Sequence, residues 1–284
     1  MHRLLSLLSL TAILAISACA NKVSPQMQRP EIVGHRGASH DAPENTLASV
    51  KLAWEQNADA AEIDIYLTTD EKVICFHDRE LGRTAPGKKM IAECSWADDL
   101  QGLDAGSWKD PRWAGEPIPM LADVLATIPD DKRLFVEIKV GPEIVPYVVP
   151  LVAESGKRPE QIAFISFNAG SCRAIKQALP EHEVYLLSGF EKRDDGTMTP
   201  TIAELIAEAK DLGIDGIDVN YGGPLTPEAV AEVHAAGMFI AAWTVDDPAV
   251  ARKLHAVGVD SITTNKPALL LETFAATEST QTAQ

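Results

Sequence analysis

Short apolar runs alternate with helix-like segments along most of the chain, and this alternation constrains the fold more than any other feature. Apolar runs of this length, bounded by turn residues, are typical of buried strands. The predicted strands are Ile32–Gly34, Ala61–Leu67, Leu134–Lys139, Ile162–Ser166, Val184–Leu187, Gly216–Val219, Phe239–Thr244 and Ser261–Thr263.

Helices fit between these strands and complete eight strand–helix units, the pattern of a closed parallel (β/α)8 TIM barrel. An open doubly wound sheet is the alternative, but its Gly-rich dinucleotide turn is missing. The length of 284 residues suits a single α/β barrel, which commonly uses ~250 residues. The predicted helices are Thr46–Gln56, Leu121–Thr127, Glu143–Glu154, Ser171–Leu179, Thr201–Lys210, Pro227–Ala236 and Pro248–Val257, with a last one from about Pro267.

One segment interrupts this rhythm after the second strand. A turn at Thr68–Glu71 is followed by an additional strand at Val73–Phe76. Residues 79 to 118 are rich in Gly, Pro, Asp and Trp and are predicted to be a small capping insertion of the barrel domain, which spans residues 31 to 274. Residues 275 to 284 predict a disordered tail.

The first 18 residues have the form of a bacterial lipoprotein signal peptide. Arg3 precedes an apolar run from Leu4 to Ile16 that is too short to span a bilayer. Small residues stand directly before Cys19, which favours lipidation of Cys19 over simple secretory cleavage. Ala20 is not the Asp typical of inner-membrane retention, so we expect a lipid anchor in the outer membrane, facing the periplasm of a Gram-negative cell. Residues 19 to 30 form a polar tether.

The formal net charge of −16 limits the possible partners. Such an acidic surface cannot bind nucleic acid through neutralisation of phosphates. It also disfavours electrostatic attraction to anionic lipid, so the predicted membrane contact is the lipid anchor alone.

Three cysteines remain in the mature chain, an odd number for an oxidising compartment. Cys75 stands in an apolar run and is expected to be a small core residue. A disulfide between Cys94 and Cys172 stays open, because their spacing neither supports nor excludes it.

His35 and Arg36 stand side by side between Gly34 and Gly37, directly after the first predicted strand. An imidazole can transfer a proton near neutral pH, and a guanidinium can hold two phosphate oxygens. Glycine on both sides lets the backbone turn sharply and lets a ligand approach. Because barrel active sites lie at the C-terminal ends of strands, this loop is a candidate site, although an ordinary surface histidine would give the same local pattern.

Carboxylates interrupt two of the predicted strands at positions that share a face. Glu62 and Asp64 are two residues apart in one strand, and Glu137 and Lys139 are two apart in the next. Three carboxylates from neighbouring strands form a good oxygen site for one divalent cation, Ca²⁺ or Mg²⁺. A network of ion pairs, with Lys139 and Arg36 neutralising the acids, is the alternative. Such a network is a credible explanation for any single pair of these residues. It is a poor explanation for five charged side chains that all face the same end of the barrel.

His77 ends the additional strand and supplies a second imidazole at about the height of His35. Two histidines can act as acid and base in displacement at phosphorus. Trp243 ends the seventh strand and could either line a pocket or pack against a helix.

The ordered set of these residues resembles the glycerophosphodiester phosphodiesterase family, in its bacterial lipoprotein form. The resemblance runs from about residue 31 to residue 270, and the segments Leu103–Gly106 and Gly115–Pro119 look like that family's insertion. The matching motifs are Gly34-His35-Arg36-Gly37, Glu44-Asn45-Thr46, Glu62-x-Asp64, His77-Asp78, Glu137-x-Lys139, Ser166-Phe167, Trp243-Thr244-Val245 and Thr264-Asn265-x-Pro267.

The resemblance implies a TIM barrel that hydrolyses a glycerophosphodiester to glycerol-3-phosphate and an alcohol. In the family's usual mechanism a glycerol hydroxyl attacks phosphorus, and water then opens the cyclic phosphate. The implied roles are acid and base for His35 and His77, divalent-metal ligands for Glu62, Asp64 and Glu137, phosphate contacts for Arg36 and Lys139, and a supporting carboxylate near the metal for Glu44.

Other functions stay open at this stage. A lysophospholipase D-type enzyme would use the same chemistry, with Trp96, Trp108 and Trp113 of the insertion lining an apolar channel, although these side chains could simply pack the cap. A non-catalytic surface binding protein would be expected to have a broken site, whereas every position here is filled. A phosphoinositide-cleaving lyase shares the histidine pair but matches the motifs less well. The sequence leaves the alcohol, the metal and the oligomeric state undetermined.

Overall fold

The computed structural model describes residues 29 to 281, with side chains through residue 276. The predicted signal peptide, Cys19 and most of the 19–30 tether lie outside the described residues, so these features stay predictions. Within the described part of the chain, no helix is both long enough and apolar enough to cross a membrane.

Eight parallel strands close into a barrel, because β1 pairs with β11 on one side and with β2 on the other. The three other strands are β3, which runs antiparallel to β2, and the short hairpin of β7 and β8. In chain order the strands are β1 (Glu31–Gly34), β2 (Ala60–Leu67), β3 (Val73–Cys75), β4 (Arg133–Ile138), β5 (Ile162–Ser166), β6 (Glu183–Ser188), β7 (Glu191–Lys192), β8 (Met198–Thr199), β9 (Gly216–Asn220), β10 (Phe239–Trp243) and β11 (Ser261–Thr264).

Helices cover the outside of the barrel between successive strands. The predicted TIM barrel is therefore confirmed, and each of the eight predicted barrel strands agrees with the structure to within one residue at either end. The α-helices are α1 (Leu47–Glu55), α2 (Leu121–Leu125), α3 (Val145–Ser155), α4 (Ala169–Ala178), α5 (Ile202–Leu212), α6 (Pro227–Ala235), α7 (Pro248–Val257) and α8 (Pro267–Gln281).

The barrel interior is closed at its N-terminal end and polar at its C-terminal end. At the closed end Arg133 forms ion pairs with Glu31 and Glu183, and the rings of Tyr185 and Phe239 stack above them at 4.8 Å. Because side chains alternate along a strand, the inward face of β4 continues past this apolar layer with polar residues. The candidate site therefore lies at the C-terminal end of the barrel, which is the open end.

The insertion after β3 has a small core of its own that continues the β2–β3 ribbon. Its apolar side chains, among them Ile91 and Leu100, are fully buried. Asp104 accepts hydrogen bonds from the backbone of Gly106, Ser107 and Gly115, so one carboxylate holds the two arms of the insertion together. This contact gives a physical reason for an Asp within the segment that resembles the family's insertion.

The structure shows the state of the three cysteines and the length of the last helix. Cys75, Cys94 and Cys172 are buried free thiols, so no disulfide joins Cys94 to Cys172. Helix α8 continues to Gln281, beyond the end of the domain expected at residue 274. Its continuation has a simple cause, since no Gly or Pro follows Pro267 to end the helix.

Gly37 makes the turn that connects β1 to the loop before α1. Its φ of +79° favours glycine, and its amide donates to the carbonyls of Gly34 and Glu62 at 3.1 Å each. A Cβ at this position would lie 2.4 Å from the backbone carbon of Ser49 in α1. The loop and the helix can pack this closely only because residue 37 has no side chain.

Replacement of Gly37 by Ala tests this packing, with Gly102→Ala as a matched control that has φ of +80° but open space around it. We expect Gly102→Ala to lower the free energy of unfolding by about 1–2 kcal/mol, the cost of left-handed backbone. Gly37→Ala should lower it by about 2–5 kcal/mol in total, because overpacking against backbone adds about 1–3 kcal/mol. Urea unfolding measures both changes, and equal losses would contradict the packing argument.

Candidate functional site

His35 follows β1, and its ring is oriented by a residue 230 positions away. Its Nδ1 lies 2.8 Å from Oδ1 of Asn265. The same oxygen accepts from the hydroxyl of Ser39, while Nδ2 of Asn265 donates to Asp246 at 2.7 Å. Since this amide presents its oxygen to the ring, Nδ1 of His35 must hold the proton. Nε2 is therefore the unprotonated ring nitrogen, available to accept a proton.

His35 is neutral at physiological pH. Burial lowers its pKa to about 4, and the neighbouring Arg36 charge acts in the same direction. Each of these effects disfavours the imidazolium. A neutral imidazole with a free Nε2 is the form that a general base requires.

Arg36 links the loop to the acidic strands. Its backbone has φ of +55°, and its amide donates to Oε2 of Glu62 at 2.8 Å. Its guanidinium contacts Glu44 at 2.8 Å and lies 3.3 Å from Asp64. A non-glycine residue in this region of φ is uncommon and often found at functional sites. Here it lets one residue bind the acids with both its backbone and its side chain.

The three predicted metal ligands do come together at the open end of the barrel. Glu62, Asp64 and Glu137 each offer a carboxylate oxygen within 4.8 Å of the others. Lys139 contacts Glu137 at 2.7 Å and Asp64 at 3.1 Å. The predicted ion pairs therefore exist, with Arg36 and Lys139 on either side of Asp64.

These ion pairs do not neutralise the whole cluster. Burial opposes ionisation of Asp64, but Lys139 and Arg36 still hold its pKa below the usual value. Burial raises the pKa of Glu62 well above its usual value, and repulsion from Asp64 and Glu137 adds to this. Burial and repulsion from Asp64 raise the pKa of Glu137 to about 7, although Lys139 contacts this carboxylate. Glu62 accepts a hydrogen bond from the amide of Arg36 but forms no side-chain ion pair among the described residues, so the cluster is only partly neutralised.

Unsatisfied oxygens support the same conclusion. Among the described residues, Oε1 of Glu62 is buried without a hydrogen-bond partner, and Oδ1 of Asp64 has only the ammonium group of Lys139 nearby, at 3.1 Å. Buried carboxylate oxygens of this kind are expensive unless they meet a cation. The residues therefore fit a divalent cation, which would be held by Glu62, Asp64 and Glu137 and would lower the pKa of all three.

Asn45 positions one of these acids and was not predicted as a site residue. Its Nδ2 donates to Oδ2 of Asp64 at 2.7 Å, and its Oδ1 accepts from the amide of Asp64 at 2.9 Å. Asn45 has φ of +57°, which Asn tolerates better than most residues. Asn45 belongs to the Glu44-Asn45-Thr46 motif, so the sequence contained a signal for it.

His77 is supported by a carboxylate. Its Nδ1 lies 2.8 Å from Oδ1 of Asp78. The pKa of His77 is lowered overall, chiefly by burial, and the hydrogen bond to Asp78 opposes this lowering. Asp78 stays ionised, because hydrogen bonds from Arg83 lower its pKa to about 2. The carboxylate therefore stabilises a protonated His77 against the effect of burial.

Arg83 connects the insertion to both sides of the site. Its guanidinium donates two hydrogen bonds to Glu44, at 2.7 and 2.8 Å, and two to Asp78, at 2.6 and 2.9 Å. Glu44 in turn holds Arg36, and Asp78 holds His77. Nothing in the local sequence distinguished Arg83 from other charged residues of the insertion, so only the tertiary structure reveals this contact.

Two adjoining cavities open around these residues. An inner cavity of about 110 Å³ lies within the barrel mouth, and a more open outer cavity of about 510 Å³ lies beside it. The four residues that line both cavities are His77, Glu137, Lys139 and Phe167. His35, Arg36 and Glu62 line only the inner one.

Trp243 lines the inner cavity, which decides between the two roles that the sequence left open. Its Nε1 donates to the carbonyl of Asp218 at 3.1 Å, and its ring meets Phe167 edge-on at 5.6 Å. The tryptophans of the insertion line neither cavity. Trp96 packs on the core of the insertion, and Trp108 donates to the carbonyl of Ala105. They form no apolar channel into the site.

A sequence model of the glycerophosphoryl diester phosphodiesterase family matches residues 35 to 269. A glycerophosphodiester phosphodiesterase of Caldanaerobacter subterraneus subsp. tengcongensis is 31% identical over 244 residues, which cover 84% of this chain and 96% of the relative. A glycerophosphodiester phosphodiesterase of Bacillus subtilis is 30% identical over 266 residues, which cover 88% of this chain and 87% of that relative.

Solved structures that are similar to this chain also include phosphodiesterases. A phosphodiesterase from Oleispira antarctica, in complex with the product sn-glycerol-3-phosphate, is similar with a TM-score of 0.76 at 28% identity, and the match covers 87% of this chain and 97% of that one. A glycerophosphodiester phosphodiesterase from Agrobacterium tumefaciens has a TM-score of 0.71 at 26% identity, with 85% and 98% covered.

Metal binding can be tested by thermal unfolding. A cation that binds only the folded protein at a hundred times its Kd stabilises by about 2.7 kcal/mol, which for a chain of this size raises Tm by about 5–10 °C. We expect Ca²⁺ or Mg²⁺ to raise the Tm of the wild type and EDTA to reverse the shift. Glu62→Gln should abolish the shift, whereas Glu55→Gln on the outer face of α1 should retain it. A metal shift that survives in Glu62→Gln would contradict the assigned site.

Proposed function

The chain belongs to the glycerophosphoryl diester phosphodiesterase family, and from this premise we propose that it hydrolyses glycerophosphodiesters in a metal-dependent reaction to glycerol-3-phosphate and an alcohol. The observation that supports this most is the inner cavity, where both imidazoles and two of the three clustered carboxylates face the same space. The related phosphodiesterase that holds sn-glycerol-3-phosphate is consistent with that product.

In this proposal His35 is the general base. Its free Nε2 accepts the proton of the attacking hydroxyl, while Asn265 keeps Nδ1 protonated and the ring in place. Because the pKa of His35 lies at about 4, the nitrogen is unprotonated across the neutral range. The hydrogen bonds of Asn265 to Asp246 prevent the amide from turning its NH₂ group toward the ring.

His77 is the general acid. It lines both cavities, so it lies where a diester that spans them would be cleaved. Its proton goes to the oxygen of the departing alcohol, and Asp78 stabilises the imidazolium before that transfer. This first step, with one proton transfer at each histidine, would leave a cyclic phosphate and a neutral His77. In the second step His77 would accept a proton from the attacking water and His35 would return its proton to the glycerol oxygen, which gives glycerol-3-phosphate.

Arg36 and Lys139 bind the phosphate in this proposal. Both cations face the inner cavity, where they can donate to the phosphate oxygens. A divalent cation held by Glu62, Asp64 and Glu137 would add positive charge at the same oxygens, and the choice between Ca²⁺ and Mg²⁺ is part of the test below. Glu44 supports Arg36 through their 2.8 Å contact.

The alternative activities have less support. A lysophospholipase D-type enzyme was expected to hold the acyl chain in an apolar channel lined by the three tryptophans of the insertion. These tryptophans line neither cavity. A non-catalytic binding protein is disfavoured by the family assignment. We keep the lipid anchor on Cys19 and the periplasmic location as proposals that rest on the sequence alone.

Release of glycerol-3-phosphate from glycerophosphocholine and glycerophosphoethanolamine tests the activity, with Ca²⁺, Mg²⁺ or EDTA present. We expect metal-dependent release, and a fall of about 100-fold or more in kcat/KM for His35→Ala, since a general base contributes about 10²–10⁴. His40→Ala, an exposed histidine five positions along the chain, is the matched control and should stay within about twofold of wild type. No release with either metal from folded protein would refute the proposal.

Asp78→Asn tests the assignment of acid and base through the pH profile. The Asp78 carboxylate raises the pKa of His77, so its removal lowers that pKa further. If His77 is the acid, the alkaline limb of kcat/KM against pH should move to lower pH, because the proton is lost earlier. The acidic limb should not move. A shift of the acidic limb instead would reverse the two roles.

A further inference from the structure

Asp218 lies at the middle of β9, inside the barrel, and the mechanism above gives it no role. Its neighbours in register are Leu187 on β6 and Ala241 on β10. Its side chain is 1% exposed and lines the inner cavity together with Glu62 and Glu137. It is not one of the clustered acids that could hold the metal.

One oxygen of the Asp218 carboxyl group lacks a partner among the described residues. Its Oδ1 is buried without any hydrogen bond from the described residues. An unsatisfied buried polar atom is unfavourable, and the neighbouring side chains of Leu187 and Trp243 donate no hydrogen bond to this oxygen. A ligand in the inner cavity could provide the missing hydrogen bond.

The chemistry of the group indicates what kind of ligand it would bind. Burial raises the pKa of Asp218 well above its usual value, and the charge of Glu137 adds to this. A carboxyl group accepts a hydrogen bond in either protonation state, and its protonated form also donates one. This combination matches a hydroxyl group, which also donates and accepts, better than it matches a phosphate oxygen.

The shape of the two cavities decides which end of a diester contains that hydroxyl. His77 and Lys139 line both cavities, so the phosphate would lie at their junction. The inner cavity of about 110 Å³ has room for roughly three or four waters at ~30 Å³ each. A three-carbon polyol fits this space, whereas a lipid acyl chain does not. The alcohol would then occupy the outer cavity of about 510 Å³.

We propose that the inner cavity binds the glycerol end of the substrate and that the Asp218 carboxyl hydrogen-bonds a free glycerol hydroxyl. This inference rests on the proposed glycerophosphodiesterase activity and deepens it. An acyl group on the glycerol would remove a hydroxyl and exceed the space available. Asp218 is therefore a residue that selects deacylated glycerophosphodiesters over lysophospholipids.

Binding measurements on two variants test this inference. Asp218→Leu has similar bulk without hydrogen-bonding groups, and Asp218→Asn keeps a donor and an acceptor. We expect Asp218→Leu to weaken the binding of glycerol-3-phosphate by about 5–20-fold, the effect of one lost buried hydrogen bond. Inorganic phosphate should bind both variants and the wild type alike, which shows that the phosphate site is intact. Asp218→Asn should stay within about threefold of wild type for both ligands.

The second readout is the hydrolysis of two substrates. One is glycerophosphocholine, and the other is its analogue in which propane-1,2-diol replaces glycerol, so that the terminal hydroxyl is missing. Asp218→Leu should lower kcat/KM for glycerophosphocholine and leave it unchanged for the analogue. Equal effects on both substrates, or equal weakening of glycerol-3-phosphate and phosphate, would overturn the assignment of Asp218. Failure of the wild type to hydrolyse either substrate would instead refute the activity, and the binding contrast between the two ligands would still decide the role of Asp218.

Discussion

Three carboxylates share one small buried volume at the open end of the barrel, and the rest of the site depends on how their charge is compensated. Arg36 and Lys139 stabilise the ionised form of Asp64, yet the pKa of Glu62 stays raised by burial and by its acidic neighbours. This imbalance is what supports our proposal of a divalent cation at the cluster. In the same proposal the two basic side chains beside the acids also contact the phosphate group. One electrostatic arrangement would then serve both the metal and the substrate.

The two histidines receive different environments from residues that are remote in sequence. An amide oxygen of Asn265 fixes the tautomer of His35, and a carboxylate of Asp78 favours the protonated form of His77. The difference between an amide and a carboxylate partner is what separates a base from an acid in our proposal. Arg83 then ties Asp78 to Glu44, so the insertion helps to orient the groups around both the His77 and the Arg36 sides.

The insertion lies beside the two cavities that our proposals assign to the substrate. Contacts from Lys109 to Ser39 and from Arg112 to Asp41 fasten the insertion over the loop that follows β1. Trp96 packs on the core of the insertion, and none of the three tryptophans of the insertion lines either cavity. The inner cavity of about 110 Å³ is lined by Asp218, whereas the outer one measures about 510 Å³. This difference in size is the basis of our proposal that the site restricts the glycerol end of a diester more than its alcohol end.

The sequence by itself determined the eight strands and the two faces that place Glu62, Asp64, Glu137 and Lys139 inside the barrel. These features follow from local apolar runs and from the two-residue period of a strand, so they can be predicted without knowing the path of the chain. Only the tertiary structure decided the contacts of Arg83, the partners of the histidines, the division into two cavities and the missing partner of Asp218. These depend on where loops and distant strands meet, and no local pattern records that.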